Sequence, residues 1–520
     1  MYCTQPIRRA ASITPNKVAT VFGERERTFQ DMRNRVACRA AALRDVGVEE
    51  GGRVAILALN SDNYLECFFA VPWAGGVVVP LNIRWSVAEN VYSLEDSGST
   101  VLLVDDAFLG TAEEIREKTD QIKTCIYIGD GQTPSGMLGF EEMIAASSPM
   151  DDAMRGYEDL FGIFYTGGTT GFPKGVMISH RNLYTSSLAA MASLAMTQGG
   201  TRYLHAAPMF HLADGMASMA NTIAGNTHVF IAAFEPGAVT AAIERHAVTD
   251  VLLVPTMISM IVHSRALNGR DCSSLSKIFY GASPMPEGVL RKALEALPDV
   301  DFYQAYGQTE LAPLATVLRP EYHVFDGPQA GKLRSAGQPC YIVDLKVVDA
   351  EGTALPPGEV GEVVVRGPNA MMGYWNRPEQ TAAALKDGWV YTGDAGYLDE
   401  DGFLFVVDRV KDMIISGGEN VFSAEVESAV SRHPKVNEVA VVGIPSVEWG
   451  ESVHAIVRVK DGEHVTEKEI IDFCRELIAG YKCPRSVEFR EEPFPMTGAG
   501  KLRKMDLRKR YWEGKDKQVN

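Results

Sequence analysis

Tyr165-Thr166-Gly167-Gly168-Thr169-Thr170-Gly171-Phe172-Pro173-Lys174-Gly175 follows directly on the apolar run Leu160-Phe161-Gly162-Ile163-Phe164. Four glycines, three threonines and one lysine in eleven residues make this the stretch from which the chain is read. A strand ending in a glycine-rich turn aims several backbone N–H groups at one point. Threonine hydroxyls add donors and Lys174 adds positive charge, so the natural ligand is a polyphosphate. The stretch is not a Walker A loop, because Pro173 precedes the lysine and Gly175 follows it, where G-x-x-x-x-G-K-[ST] is required. Taken alone it reads equally as a flexible surface loop, so the rest of the chain decides.

At 520 residues the chain holds more than one domain. A formal net charge of −17 argues against nucleic acid or an anionic membrane as main partner, so an anionic ligand needs a local positive pocket such as Lys174 offers. Eight scattered cysteines without a C-x-x-C pair read as reduced thiols in a cytoplasmic protein. Arg8-Arg9 has no apolar segment behind it, so no signal peptide is expected. The most apolar run, 68–81, is too short for a bilayer and is broken by Pro72, Gly75 and Gly76, so no stable membrane insertion is expected.

Short β-branched runs alternate with amphipathic stretches on both sides of the glycine-rich loop. Strands are expected at 54–59, 77–80 and 100–104 with helices at 63–74 and 87–94, and again at 227–231, 250–254, 277–280 and 301–304 with helices at 238–246, 256–264 and 287–297. Two βαβ series predict two packed α/β subdomains with a cleft between them. From about Gly337 alternating strands at 343–348 and 361–366, with turn signals Glu351-Gly352 and Pro356-Pro357-Gly358, predict a small antiparallel β subdomain. An α+β pattern follows Lys411, with helices at 423–431 and 467–480 and strands at 438–443, 454–460 and 486–489. The expected class is therefore α/β, with a large N-terminal domain, 1–410, and a small α+β C-terminal domain, 411–520.

Two turns fall at carboxyl ends of expected strands, where open α/β sheets bind ligands. At Gly281-Ala282-Ser283-Pro284 small residues admit a flat ring against backbone, and Tyr306 of Tyr306-Gly307-Gln308-Thr309-Glu310 can stack on its other face. Thr309 and Glu310 supply a hydroxyl and a carboxylate, a start for a magnesium site beside phosphates. In Thr392-Gly393-Asp394, the aspartate can accept both hydroxyls of a ribose and Arg409 can donate to the same sugar, although an Asx turn explains Asp394 as well. Near the end, Thr497-Gly498-Ala499-Gly500-Lys501 places a glycine-flanked lysine on a loop. The basic run that follows, 501–510, is expected to be a solvated helix in every charge except Lys501.

Six motifs in order, 165–175, 207–211 (Ala-Pro-Met-Phe-His), 306–310, 392–394, 408–412 with 416–420, and 497–501, resemble those of the adenylate-forming superfamily of acyl-CoA synthetases, luciferases and peptide-synthetase adenylation domains. The resemblance spans nearly the whole chain. It departs at Gly167, where the family usually has serine. It implies that Thr166, Gly168, Thr169, Thr170 and Lys174 hold the β- and γ-phosphates of ATP. By the same likeness Gly281, Ala282 and Tyr306 sandwich adenine, Asp394 and Arg409 bind ribose, and Thr309 and Glu310 meet the α-phosphate and Mg²⁺. Lys501 then bridges the substrate carboxylate and α-phosphate, and His211 resembles the aromatic gate between acyl pocket and thiol tunnel. Gly417 and Gly418 let the pantetheine of coenzyme A pass close to backbone, and Lys411 resembles the hinge on which a mobile C-terminal domain turns.

The implied reaction is an AMP-forming carboxylic acid–CoA ligation through an acyl adenylate, carried out by a protein that admits a homodimer. Leu212 stands where peptide-synthetase domains place an aspartate for the substrate's α-ammonium, so an amino acid is disfavoured. The segment 209–219, with Asp214 its only charge, points to an apolar acyl group or else to ordinary core. A medium- or long-chain fatty acid is expected first and an aryl acid second. A phosphotransferase would release ADP instead of AMP, and a non-catalytic nucleotide sensor would turn nothing over.

Overall fold

The computed structural model describes residues 1–167, 173–196, 200–409, 412–416, 419–446, 448–460, 462–495 and 502–513. The chain forms two compact units, Met1–Leu345 with Val365–Val390, and Lys346–Val364 with Tyr391–Asn520.

The first unit holds two large sheets, both mostly parallel. One runs, in spatial order, Gly373–Tyr374, Lys174–Ser179, Leu160–Thr166, Val77–Pro80, Arg53–Leu57, Val101–Val104, Thr124–Tyr127 and Leu138–Gly139. Its central strands are continuous runs of valine, isoleucine and leucine, and residues 54–57 and 101–104 are buried throughout. That is the pattern of strands covered by helices on both faces. The expected crossover helices are present at Asp62–Trp73, capped by Ser61, and at Val87–Ser97, where Ser86 and Glu89 form a capping box. The second sheet runs Gln338–Pro339, Leu314–Leu318, Asp301–Gly307, Lys277–Gly281, Asp250–Leu253, Arg202–His205, Thr227–Phe230, Val18–Phe22 and Arg25–Thr28.

Two features depart from a simple pair of consecutive βαβ series. The N-terminal strand Val18–Phe22 lies parallel to Thr227–Phe230, so the start of the chain belongs to the second sheet. The glycine-rich stretch joins two antiparallel strands, with Thr166 opposite Lys174 and Tyr165 opposite Gly175. The main core runs through both series, gathering Val54, Phe68, Phe161, Tyr203 and Phe279. Phe68 meets Phe161 edge to face at 5.1 Å.

A smaller five-stranded sheet contains Asp344–Val348, Gly361–Arg366, Trp389–Leu398, Leu385–Lys386 and Leu404–Arg409. In the second unit Ile414–Ser416, Glu419–Val421, Val436–Ser446, Gly450–Val459 and Ser486–Phe489 form a further sheet beside helices Ser423–Ser431, Glu467–Arg475 and Lys504–Trp512. The basic C-terminal helix is solvated on one face only, where Arg503, Lys509 and Arg510 are exposed. Leu507 and Trp512 are buried, and the Trp512 indole donates to Gly443 O at 3.0 Å. Lys504 pairs with Glu427 at 2.8 Å, and Arg508 pairs with the buried Glu451. The helix buries one face, so two of its cations become internal partners. All eight cysteines are free thiols, and among the described residues no helix is long and apolar enough to cross a membrane.

Candidate functional site

The two antiparallel strands place Thr166 and Lys174 side by side, one on each side of the glycine-rich stretch in sequence. Gly168, Thr169 and Thr170 lie outside the described residues. A Cβ at Gly167 would meet nothing within 4 Å, so packing does not select glycine over serine there. Lys174 is half-buried and its Nζ stands 5.1 Å from the centroid of the Tyr374 ring.

The residues expected to take adenine sit at strand ends of the second sheet. Lys277–Gly281 and Asp301–Gly307 are parallel neighbours with Gly281 opposite Ala305, and Tyr306 lies one residue further along the second strand, opposite Thr316. A Cβ on Gly281 would lie 2.1 Å from Ala305 O, and one on Gly307 would lie 1.9 Å from Pro313 O. Only glycine permits these backbone approaches. Ala282 turns away with φ +67°, a left-handed conformation that costs a non-glycine residue about 1–3 kcal/mol. Strain of that kind collects at ligand clamps and is consistent with one here. Thr309 and Glu310 follow in a single 3₁₀ turn, Thr309–Leu311.

A segment not foreseen from sequence, 368–377, ties the hairpin of Leu160–Thr166 and Lys174–Ser179 to the 309–311 turn. Met372 N–H donates to Met177 O at 3.0 Å and Trp375 N–H to Gly175 O at 2.8 Å, which fixes the hairpin. Met371 N–H donates to Glu310 O at 2.9 Å, and the Asn369 amide donates to Leu311 O and Leu314 O at 2.7 and 2.8 Å. The Tyr374 hydroxyl donates to Glu310 Oε1 at 2.8 Å. Asn182 holds the segment from the other side, donating to Pro368 O and Ala370 O at 2.8 Å each. Asp96 accepts from Tyr165 OH at 2.8 Å and pairs with Arg377 at 3.1 Å. Residues from two sheets are thus held in one backbone-bonded frame. The signal lay in Gly373-Tyr374-Trp375-Asn376-Arg377-Pro378, which shows neither helical nor strand periodicity.

His211 ends the loop between Arg202–His205 and the helix Leu212–Ala224. Asn60 pins that loop, donating to Ala207 O at 2.9 Å and accepting from Met209 N–H at 2.9 Å. Met209, Leu212, Met216 and Met219 belong to the main core, so the apolar character of this segment reports packing first. Asp214 is fully buried and accepts from Tyr203 OH at 3.1 Å, and the His205 ring contacts it at 2.6 Å. The second His205 nitrogen meets His228 at 2.9 Å. The lone charge of the segment therefore faces an internal network.

In the second unit, Asp394 and Arg409 are cross-strand partners joined by an ion pair of 2.7 Å, and Arg409 also donates to Thr392 O at 3.3 Å. The Asx-turn reading of Asp394 gives way to a strand position. Lys411, Gly417, Gly418 and Lys501 lie outside the described residues.

One carboxylate, Glu310, beside a hairpin expected to bind phosphate fits magnesium that takes most of its oxygens from phosphate and water. No group of three or more acidic, histidine or cysteine side chains able to cage a metal occurs among the described residues.

The AMP-binding enzyme family matches residues 7–375, and the AMP-binding enzyme C-terminal domain matches 425–501. Feruloyl-CoA synthase of Amycolatopsis sp. is 39% identical over 510 residues, covering 97% of this chain and 98% of the relative. The fatty acid–[acyl-carrier-protein] ligase ScoC of Streptomyces coeruleorubidus is 34% identical over 516 residues, covering 97% and 96%. Among solved structures, o-succinylbenzoate CoA synthetase of Bacillus subtilis, in complex with its acyl-adenylate intermediate, superposes with a TM-score of 0.85 at 31% identity, covering 99% and 98%. The chain belongs to the AMP-binding enzyme family, the adenylate-forming superfamily, and is an enzyme of its AMP-forming acyl-CoA synthetase type.

Proposed function

We propose that this enzyme activates an aryl or arylalkenyl carboxylic acid with ATP and passes the acyl group to coenzyme A. The observation that carries the choice of acid is the full-length 39% identity to a feruloyl-CoA synthase, against 34% to a fatty-acid-activating relative. Of the two acid classes expected from sequence, the aryl one has the better support.

In the first step a carboxylate oxygen attacks the α-phosphorus, a P–O bond forms, and pyrophosphate leaves. Thr166 and Lys174 orient the outgoing phosphates, and Glu310 with Thr309 faces the α-phosphate side. Mg²⁺, when bound, neutralises charge on the phosphate oxygens. Lys501 stabilises the charge that develops between carboxylate and α-phosphate. Gly281, Ala282 and Tyr306 take adenine, and Asp394 and Arg409 take the ribose. In the second step the thiol sulfur attacks the acyl carbon, the C–O bond to AMP breaks, and the thiol proton is released. For that step His211 is assigned to the gate, Gly417 and Gly418 to the thiol path, and Lys411 to the hinge.

A panel of ferulate, cinnamate, benzoate, octanoate and palmitate, compared by kcat/KM for AMP release with CoA, tests the acid class. An aryl acid is expected to lead by at least tenfold, which corresponds to about 1.4 kcal/mol of transition-state discrimination. A lead for palmitate or octanoate contradicts the proposal.

A further inference from the structure

Lys174 begins a strand of the first sheet and Glu310 lies in the turn after Asp301–Gly307 of the second, and one side chain meets both. The Tyr374 hydroxyl donates to Glu310 Oε1 at 2.8 Å, while the Lys174 ammonium stands 5.1 Å from the centre of the same ring. The geometry points to Tyr374 as a positioning residue that sets Glu310 for Mg·ATP and holds Lys174 over the phosphates. This inference rests on the roles proposed above for Glu310 and Lys174.

The backbone around Tyr374 is fixed independently of any ligand. Tyr374 lies opposite Val176 in an antiparallel pairing with the phosphate hairpin, and its N–H donates to Thr381 Oγ1 at 2.9 Å. Flanking bonds from Met372 to Met177 and from Trp375 to Gly175 leave the residue little freedom to shift along the strand. The backbone therefore presents the ring to Glu310 from a fixed point. A phenol donating to one carboxylate oxygen fixes the rotamer of the carboxylate and orients the other oxygen. Bonds of that kind, one step behind a metal ligand, commonly change metal affinity or activity by about 10–100-fold when removed. The face of the ring attracts an ammonium electrostatically, and this restrains the long lysine chain. Two separable functions follow, one through the hydroxyl and one through the ring.

The test uses the full chain and two variants, Tyr374→Phe, which removes only the hydroxyl, and Tyr374→Leu, which removes ring and hydroxyl. Calorimetry measures binding of ATP with Mg²⁺ and of ATP in excess chelator, and the rate of adenylate formation is measured alongside. Tyr374→Phe is expected to weaken Mg·ATP binding about tenfold while metal-free ATP changes less than about twofold. Tyr374→Leu is expected to weaken both. Glu310→Gln and Lys174→Ala serve as references. Mg·ATP affinity within twofold of wild type in Tyr374→Phe, with Glu310→Gln weakened, overturns the inference and leaves the role of Glu310 standing. Mg·ATP affinity unchanged in Glu310→Gln overturns both. Equal weakening of metal-free ATP and Mg·ATP in Tyr374→Phe assigns the residue to general packing and also overturns the inference.

Discussion

Lowering the pH should weaken this enzyme through histidines that the fold keeps neutral. Burial holds His180 down to about 4 and His323 down to about 4, and it depresses His228 as well. His180 Nδ1 accepts the Cys3 N–H at 3.2 Å, so its single proton sits on Nε2 and a second has no place at Nδ1. His323 contacts Arg319 O through Nδ1 at 3.0 Å, which fixes Nδ1–H, and Nε2 faces the Tyr280 hydroxyl at 2.9 Å. The folded pKa lies below the unfolded value of about 6.5, so the unfolded chain binds more protons between the two. Stability is therefore full above about pH 6.5 and falls as pH drops toward 4, by about 1.4 kcal/mol per pH unit per histidine. From pH 7 to 5, His180 and His323 each remove about 2 kcal/mol, together about 4 kcal/mol. Buried Asp105 and Asp250, whose carboxyls burial pushes up, act in the opposite sense, so the comparison must be made against a variant. Urea unfolding followed by tryptophan fluorescence at pH 7, 6 and 5 should be compared between wild type and His180→Gln/His323→Gln. Wild type should lose about 4 kcal/mol more than the variant over this range. Parallel losses, within about 1 kcal/mol, would refute the reasoning.

Gly281→Val should abolish most ATP binding, because a Cβ 2.1 Å from Ala305 O forces two neighbouring strands apart; calorimetry with ATP checks it, and wild-type affinity contradicts it. Lys504→Met should destabilise the second unit by about 1–3 kcal/mol, since it takes the ammonium partner from a half-buried Glu427 that keeps the Val441 N–H; the pair Lys504→Met/Glu427→Leu should recover much of that loss in urea unfolding. Lys501→Ala should slow adenylate formation by about 10²–10³ while pre-made acyl adenylate and CoA still give thioester. Timing both half-reactions on one preparation checks it, and loss of the two together contradicts the assigned role.

Much of the fold was legible because continuous Val/Ile/Leu runs can only be covered strands. Val77–Pro80 and Ser486–Phe489 begin and end where expected, and Asp62–Trp73 and Val101–Val104 shift by one residue. Pairings remote in sequence left no local trace. Val18–Phe22 joins Thr227–Phe230 through backbone bonds that any β-former could make. The frame 368–377 was invisible for a related reason. Its contacts to Gly175 and Met177 are made by main-chain groups, and Asn60 and Asn182 act through amides that bond carbonyls remote in sequence. Lys504 was misjudged because its partner Glu427 sits on a different helix, so a basic run looked solvated. Among the candidate residues, Gly281 has a reason for its type that the fold makes plain, the close approach to Ala305 O, whereas Tyr374 needed coordinates.

The most direct measurement is product analysis of one reaction: purified enzyme, ferulate, ATP, Mg²⁺ and CoA, with nucleotides and thioesters separated by liquid chromatography. The account requires AMP, pyrophosphate and feruloyl-CoA in equal amounts, with AMP formation dependent on the acid. ADP in place of AMP, or AMP without an acid-dependent thioester, would contradict it.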